Sequence, residues 1–272
     1  MEIEKITIIG GRGKNGQKDR VEQVPLLMGN VVSIVGPTGS GKTTFINDIA
    51  LFANCNTPSQ RKVLINDTIP SEEYMEDPSK NPIALITQHT NFLSDLPVHR
   101  FLDIHARIRQ TSSPGSVPGS LVVEETLEFA NLLTGEPIIR ESAMTELSGG
   151  QTRALLIADA VIIGNSPIIL LDEIENAGIH RTKALELLKR YRKIFIFVTH
   201  DPRITLLSDF RIVMKGGAIQ DLIITGDEEK RVGEEIKKLD DLLLGFRTQI
   251  RAGNRLEERD LQERLRSLGY IA

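Results

Sequence analysis

Eight residues, Gly36-Pro-Thr-Gly-Ser-Gly-Lys-Thr43, leave this chain few folds to choose from. They spell G-x-x-x-x-G-K-T. Ahead of them Val31 to Val35 is short, apolar and rich in β-branched residues, the pattern of a buried strand. After them Thr43 to Phe52 has helical spacing. Strand, glycine loop and helix in that order form the context in which this motif binds phosphate. The glycines let backbone N–H groups close around phosphate oxygens, and the helix N-terminus adds partial positive charge. Lys42 is placed to reach β- and γ-phosphates, and the Thr43 hydroxyl to ligate Mg²⁺. A chance glycine turn is the competing reading, and three fixed glycines followed by Lys-Thr argue against it. The motif predicts a nucleotide held by Gly36, Pro37, Thr38, Gly39, Ser40, Gly41, Lys42, Thr43 and Thr44.

Composition narrows the setting. The 272 residues suffice for one large α/β domain with an appendage, or for two small domains. A net charge of −4 without a long basic block argues against a broad nucleic-acid-binding face. A single cysteine, Cys55, rules out an intrachain disulfide and fits a reducing compartment. No stretch is apolar for the length a bilayer requires, and Met1-Glu-Ile-Glu-Lys5 is unlike a signal peptide. The expected location is therefore cytoplasmic, with any membrane association supplied by a partner.

The rest of the chain alternates between strand and helix patterns. Ile3 to Ile9 reads as an opening strand, and Gly10 to Lys18 as a glycine-rich basic loop, either near the nucleotide or, the favoured reading, a mobile turn. Pro25 to Asn30 leads into the strand before the phosphate loop. Val63 to Ile65 and Pro82 to Thr87 are further strands. Asn91 to Gln110 and Leu121 to Leu133 read as helices, joined by the flexible connector Ser112 to Ser120. After Leu147-Ser-Gly-Gly-Gln151 comes an apolar helix, then the strand Ile168 to Leu171 ending in Asp172 and Glu173. Thr182 to Tyr191 is a helix, and the strand Ile194 to Val198 is followed by Thr199, His200 and Asp201. Arg211 to Ile219 looks like a hairpin. Such alternation implies a mostly parallel sheet, in which ligands collect at the carboxyl ends of strands. Gly36, Gln88, Asp172 and His200 all fall at such ends. The expected fold is an α/β P-loop NTPase: a cassette over residues 1–226, a helical insertion over about 89–146, and a helical tail over 227–272. In that tail Val232, Ile236, Leu239, Leu243, Phe246 and Ile250 follow an a/d spacing, and Leu261, Leu265 and Leu268 make a second stripe, so a helical hairpin is expected.

In this order and spacing the phosphate loop, Gln88 after a strand, Leu-Ser-Gly-Gly-Gln151, the Asp172–Glu173 pair and His200 resemble the ATP-binding-cassette (ABC) ATPases, over about residues 1 to 225. The resemblance implies hydrolysis of ATP with Mg²⁺. Asp172 and Gln88 would join Thr43 around the metal. Glu173 would polarise the attacking water, with His200 and Gln88 positioning it. Ser148, Gly149, Gly150 and Gln151 open a helix whose N-terminus suits an anion. In the family that end meets the ATP bound to a second cassette, so a head-to-tail homodimer is implied.

Three departures set this chain apart. Ile174 stands where the family has Pro after the Asp-Glu pair, and Ile179 where the next loop has Asp, which puts coupling between the two sites in question. No aromatic residue precedes Phe45, so the family's adenine-stacking ring is missing, and base recognition is either weak, carried by Arg12 or Lys14, or supplied from elsewhere. The absence of a long coiled coil argues against a chromosome-type head. The departures and the striped tail tilt the reading toward a soluble ATPase that remodels or activates a protein complex. The alternative is the nucleotide-binding subunit of a membrane transporter.

Overall fold

The computed structural model describes residues 2–87, 89–110, 119–173 and 181–271, and the described chain divides between Ile224 and Thr225. In chain order the first part carries β1 (Lys5–Ile9), β2 (Gln23–Leu27), β3 (Val31–Val35), α1 (Lys42–Ala50), β4 (Lys62–Ile65), the single turn α2 (Glu73–Glu76) and β5 (Ile83–Ile86). There follow α3 (Val98–Gln110), α4 (Gly119–Leu133), α5 (Gly149–Val161), β6 (Ile168–Asp172), α6 (Arg181–Leu188) and β7 (Ile194–Val198). It closes with α7 (Pro202–Leu207), β8 (Phe210–Lys215) and β9 (Ala218–Ile224).

The strands form two sheets. One is antiparallel, ordered β2-β1-β4. The other is ordered β5-β6-β7-β3-β8-β9 and is parallel except for β9, which returns antiparallel to β8. Because successive side chains of a strand point to opposite faces, an unbroken apolar run feeds two cores. In β6, Ile169 and Leu171 join the layer built on α3, α4, α5 and α6, while Ile168 and Leu170 join the layer holding α1 and the small sheet. Each such fully buried aliphatic side chain is worth about 1.5–3 kcal/mol relative to exposure.

Two local expectations change. Gln23–Leu27 is a strand although it contains Pro25. It lies at the edge of its sheet, where the missing N–H costs no ladder bond, and its exposed-buried alternation is strict. The helix expected from Asn91 begins only at Val98. Pro97 biases Leu96 toward extended backbone and suits the entry to a helix, so the preceding stretch stays non-helical and Leu93 is 98% exposed. Most of the connector Ser112 to Ser120 lies outside the described residues.

The second part is a helical hairpin of α8 (Asp227–Arg251) and α9 (Glu258–Ser267). Its seam takes in Phe246 of the apolar stripe but also polar contacts outside it. Tyr270 Oη donates to Glu235 Oε2 at 2.9 Å, the Arg264 guanidinium lies 5.3 Å from the centre of the Phe246 ring, and Gly245 faces Arg264 so closely that a Cβ would meet its Nη1 at 2.3 Å. Val232, Leu239, Leu243 and Ile250 remain exposed.

One ion cluster locks the first part together. Arg61, just ahead of β4, has no solvent exposure. Its Nε and Nη2 donate to Asp19 at 2.8 and 2.9 Å, Nη1 to Asp48 of α1 at 3.1 Å, and Nη2 also to the Gly217 carbonyl at 2.7 Å. The Phe45 ring centre lies 5.1 Å from the guanidinium carbon. Asp19 accepts further bonds from the Gly11 and Ile219 N–H groups at 2.8 and 2.7 Å. Replacing Arg61 by Met strands two buried carboxylates, so Arg61→Met is expected to lose about 3–5 kcal/mol in urea denaturation. Adding Asp19→Asn and Asp48→Asn should recover part of that loss; a single mutant within about 1 kcal/mol of wild type would remove the cluster from the fold's energetics.

Candidate functional site

β3 ends at Val35 and the chain turns at once into the glycine loop. Gly36, Gly39 and Gly41 have φ of 153°, 76° and 95°. Two of them are also pressed against backbone. A Cβ on Gly36 would lie 2.3 Å from the Met214 carbonyl oxygen, and one on Gly41 2.7 Å from Gly217 Cα, so the loop rests directly on β8 and the turn into β9. The Gly217 N–H donates to the Ser40 carbonyl at 2.8 Å across that contact. Gly39 has nothing within 4 Å of its Cβ position, so there the loop opens outward.

The loop's polar groups fit a phosphate. α1 has no side-chain cap at Gly41, and helix geometry leaves its first N–H groups without intrahelical acceptors. Thr43 and Thr44 are exposed at that end. Lys42 is buried and folds its ammonium back over the loop, donating to the Gly36 carbonyl at 2.9 Å and the Pro37 carbonyl at 3.3 Å. The Ser40 hydroxyl is buried with no hydrogen-bond partner among the described residues.

Because β6, β7 and β3 are neighbours and parallel, their carboxyl ends bring the other chemistry to the same edge. Asp172 closes β6. Glu173 follows in left-handed backbone, φ 50°, with its N–H donating to the Val198 carbonyl at 3.0 Å. Beyond β7 the Thr199 N–H donates to the Ile34 carbonyl at 3.3 Å, and Asp201 caps α7 by accepting from the Arg203 N–H at 2.9 Å. Between those anchors His200 places Nε2 4.0 Å from Glu173 Oε1, with both side chains about half exposed. A hydroxyl at Thr43 and a carboxylate at Asp172 are hard oxygen donors of the kind Mg²⁺ takes alongside phosphate and water.

Ser148, Gly149, Gly150 and Gln151 are placed on the helical layer. Ser148 Oγ accepts from the Gln151 N–H at 3.3 Å, and Gln151 Oε1 accepts from the Ser148 N–H at 2.9 Å, a reciprocal capping box at the start of α5. Gln151 Nε2 donates to the Pro137 carbonyl at 3.1 Å. These bonds run within the first turn and to its own layer, which leaves the helix end facing outward. Gln88, Ile174 and the loop Asn176 to Ile179 lie outside the described residues.

The segment Gly10 to Lys18 is a correction. It is not a detached turn but a shelf against the phosphate loop. Lys14 Nζ donates to the Gly39 carbonyl at 3.1 Å, and its N–H to the Gly216 carbonyl at 2.7 Å. Gly13 has no room for a side chain, since a Cβ would sit 2.5 Å from the Ala218 nitrogen. Sequence reasoning passed over this contact because its other half, the β8–β9 turn, lies some two hundred residues downstream. Paired glycines at 216 and 217 were the available signal.

Comparison with known proteins agrees with this geometry. A family model described as ABC transporter matches residues 23–176. An uncharacterized ABC transporter ATP-binding protein of Methanocaldococcus jannaschii is 46% identical over 261 residues, 96% of this chain and 98% of that one. A spermidine/putrescine import ATP-binding protein of Bacillus cereus is 30% identical over 203 residues, 71% of this chain but 57% of the relative. Among solved structures, a dimeric ATP-binding cassette in a post-hydrolysis state with ADP and Pi superposes with a TM-score of 0.60 at 23% identity, covering 81% of this chain and 99% of that one.

The shelf generates a test. Lys14→Ala removes a charge-assisted bond to the outer rim of the loop, worth about 1 kcal/mol. It is expected to raise the KM for ATP roughly fivefold while leaving kcat nearly unchanged. Steady-state phosphate release against ATP concentration reads both; an unchanged KM would reduce Lys14 to a surface tie.

Proposed function

The chain belongs to the ABC transporter family of ATP-hydrolysing cassettes, and from that membership we propose that it is the nucleotide-binding subunit of a membrane transporter, working as a pair of cassettes. The observation that carries this reading is the near full-length relative at 46% identity that bears the name of an ABC transporter ATP-binding protein. It outweighs the soluble, complex-remodelling role that the departures in sequence favoured. Relatives named for import point the same way. No helix among the described residues is long and apolar enough to cross a membrane, so in this reading the membrane path belongs to another chain. The working parts would be the cassette of residues 1–226, its helical insertion over about 89–146, and the tail from residue 227.

In the proposed cycle the residues Gly36 to Thr44 bind the triphosphate, with Lys42 turning from the loop carbonyls to the β- and γ-oxygens. Thr43 and Asp172, joined by Gln88, would hold Mg²⁺, which when bound neutralises phosphate charge. Glu173 takes a proton from the attacking water, and His200, 4.0 Å from its carboxylate, orients that water and the γ-phosphate. Ser148, Gly149, Gly150 and Gln151 of one cassette present their helix end to the nucleotide of the other. The exposed Ser148 and Gly149 at that capped helix end support such a use.

Glu173→Gln keeps size and hydrogen bonding but removes the proton acceptor. Turnover is expected to fall roughly a hundredfold or more with ATP binding retained. With MgATP the variant should also hold a dimer, read by light scattering; near-normal phosphate release would take Glu173 out of the mechanism. The transport assignment has its own test. Glu173→Gln protein, loaded with ATP and captured from separately solubilised membrane and soluble fractions, should bring down a stoichiometric polytopic membrane protein. Capture of cytosolic protein alone, with full ATPase activity in the parent, would restore the soluble alternative.

A further inference from the structure

At the end of the sheet opposite the phosphate loop, a cleft of about 1070 Å³ opens among residues that precede β3, β5, β6 and β7. Its lining carries four cations, Lys80, Arg109, Arg192 and Lys193, against two carboxylates, Glu2 and Glu4. Lys80 is paired with Glu73, and Arg109 donates one N–H to the Ser79 carbonyl at 2.5 Å. Lys193 is in a different position. It is 6% exposed, and its Nζ donates to Asn165 Oδ1 at 2.6 Å and to the Ser166 carbonyl at 3.1 Å. Asn165 presents that oxygen from left-handed backbone, φ 41°. Both acceptors are neutral. No carboxylate pairs with the ammonium among the described residues, and burial alone pushes its pKa down from 10.5 to about 8. Two neutral oxygens occupy two of its three N–H groups, which leaves one donor and an uncompensated charge in the wall of an open cleft.

We propose that this cleft binds a small phosphorylated organic molecule, with Lys193, Arg109 and Arg192 taking the phosphate. A dianionic tetrahedral group accepts from a fixed ammonium and from a guanidinium fork at once, which a single carboxylate does less well. The volume far exceeds one phosphate, and the Tyr74 and Tyr191 side chains in the lining offer apolar surface to the rest of the molecule. The site is separate from the nucleotide. β7 runs from Ile194 beside the cleft to Val198 near His200, roughly 13 Å along the strand. The proposal therefore stands apart from the ATPase reading.

Phenyl phosphate, dianionic at pH 8, is a suitable probe. It is titrated calorimetrically into the full chain carrying Lys42→Ala, which weakens the phosphate loop as a competing site. An anion beside Lys193 favours its charged form, so binding should take up a proton, most strongly somewhat above pH 8. That uptake is measured by repeating the titration in buffers of different ionisation enthalpy. Arg192→Gln, on the exposed side, should weaken binding roughly tenfold. Lys193→Gln can keep hydrogen bonds to Asn165 and Ser166 and should abolish the proton uptake; if it fails to fold, Arg109→Gln and Arg192→Gln decide the matter. Absence of binding at millimolar phenyl phosphate, binding without buffer dependence, or equal affinity in the arginine variants would overturn the proposal.

Discussion

A guanidinium sealed from water sets the shape of the edge that carries the glycine loop. Arg61 gathers Asp19 from the N-terminal loop, Asp48 and Phe45 from α1, and the Gly217 carbonyl from the β8–β9 turn. Those are the segments that wall the phosphate loop. A buried ion group of this kind adds little net stability over a well-packed apolar substitute, because removing charge from water is costly. What it contributes here is geometry, since each carboxylate is bonded on more than one side or held on a helix. The Arg61–Gly217 bond fixes the turn against which Gly41 closes to within the reach of a missing side chain.

The residues proposed for hydrolysis are positioned by the same logic, through backbone rather than side-chain packing. Glu173 sits in a conformation unfavourable for a residue with a Cβ, at a cost of order 1–3 kcal/mol that its surroundings must meet. Its N–H bond to Val198 holds it there, while its carboxylate stays about half exposed. His200 is likewise suspended between two anchored neighbours, Thr199 on β3 and Asp201 on α7. Both side chains stay about half exposed, and the peptides that aim them are tied into the central strands.

How much of this could be read from the residues depended on the range of the interactions involved. β6 up to Asp172 and β7 are unbroken apolar runs, β3 is one interrupted only by Ser33, and the loop between β3 and α1 is a local motif, so fold and phosphate loop were both visible. The strand around Pro25 was missed because its tolerance rests on lying at a sheet edge, a fact of topology. Helix onset at Val98 was marked by Pro97 but masked by the amphipathic spacing on either side. The shelf of Gly10 to Lys18 was misread for a deeper reason: its order comes from Asp19 and Lys14 meeting Ile219, Gly216 and Gly39, which no local pattern encodes. Lys193 was equally silent, since a lone lysine before a strand acquires its character only from burial.

The position of β3 carries a consequence for synthesis. It leaves the ribosome among the first strands, yet it lies between β7 and β8, and the carbonyl that shapes Gly36 belongs to Met214. At ordinary elongation rates the interval between Val35 and Lys215 is roughly ten to forty seconds. For most of that time, until β7 emerges, the nascent chain holds an apolar strand without lateral partners, and throughout it a glycine loop without its floor. The phosphate loop is thus completed among the last features of the cassette, and a nucleotide meets a binding surface only once the sheet has closed behind it.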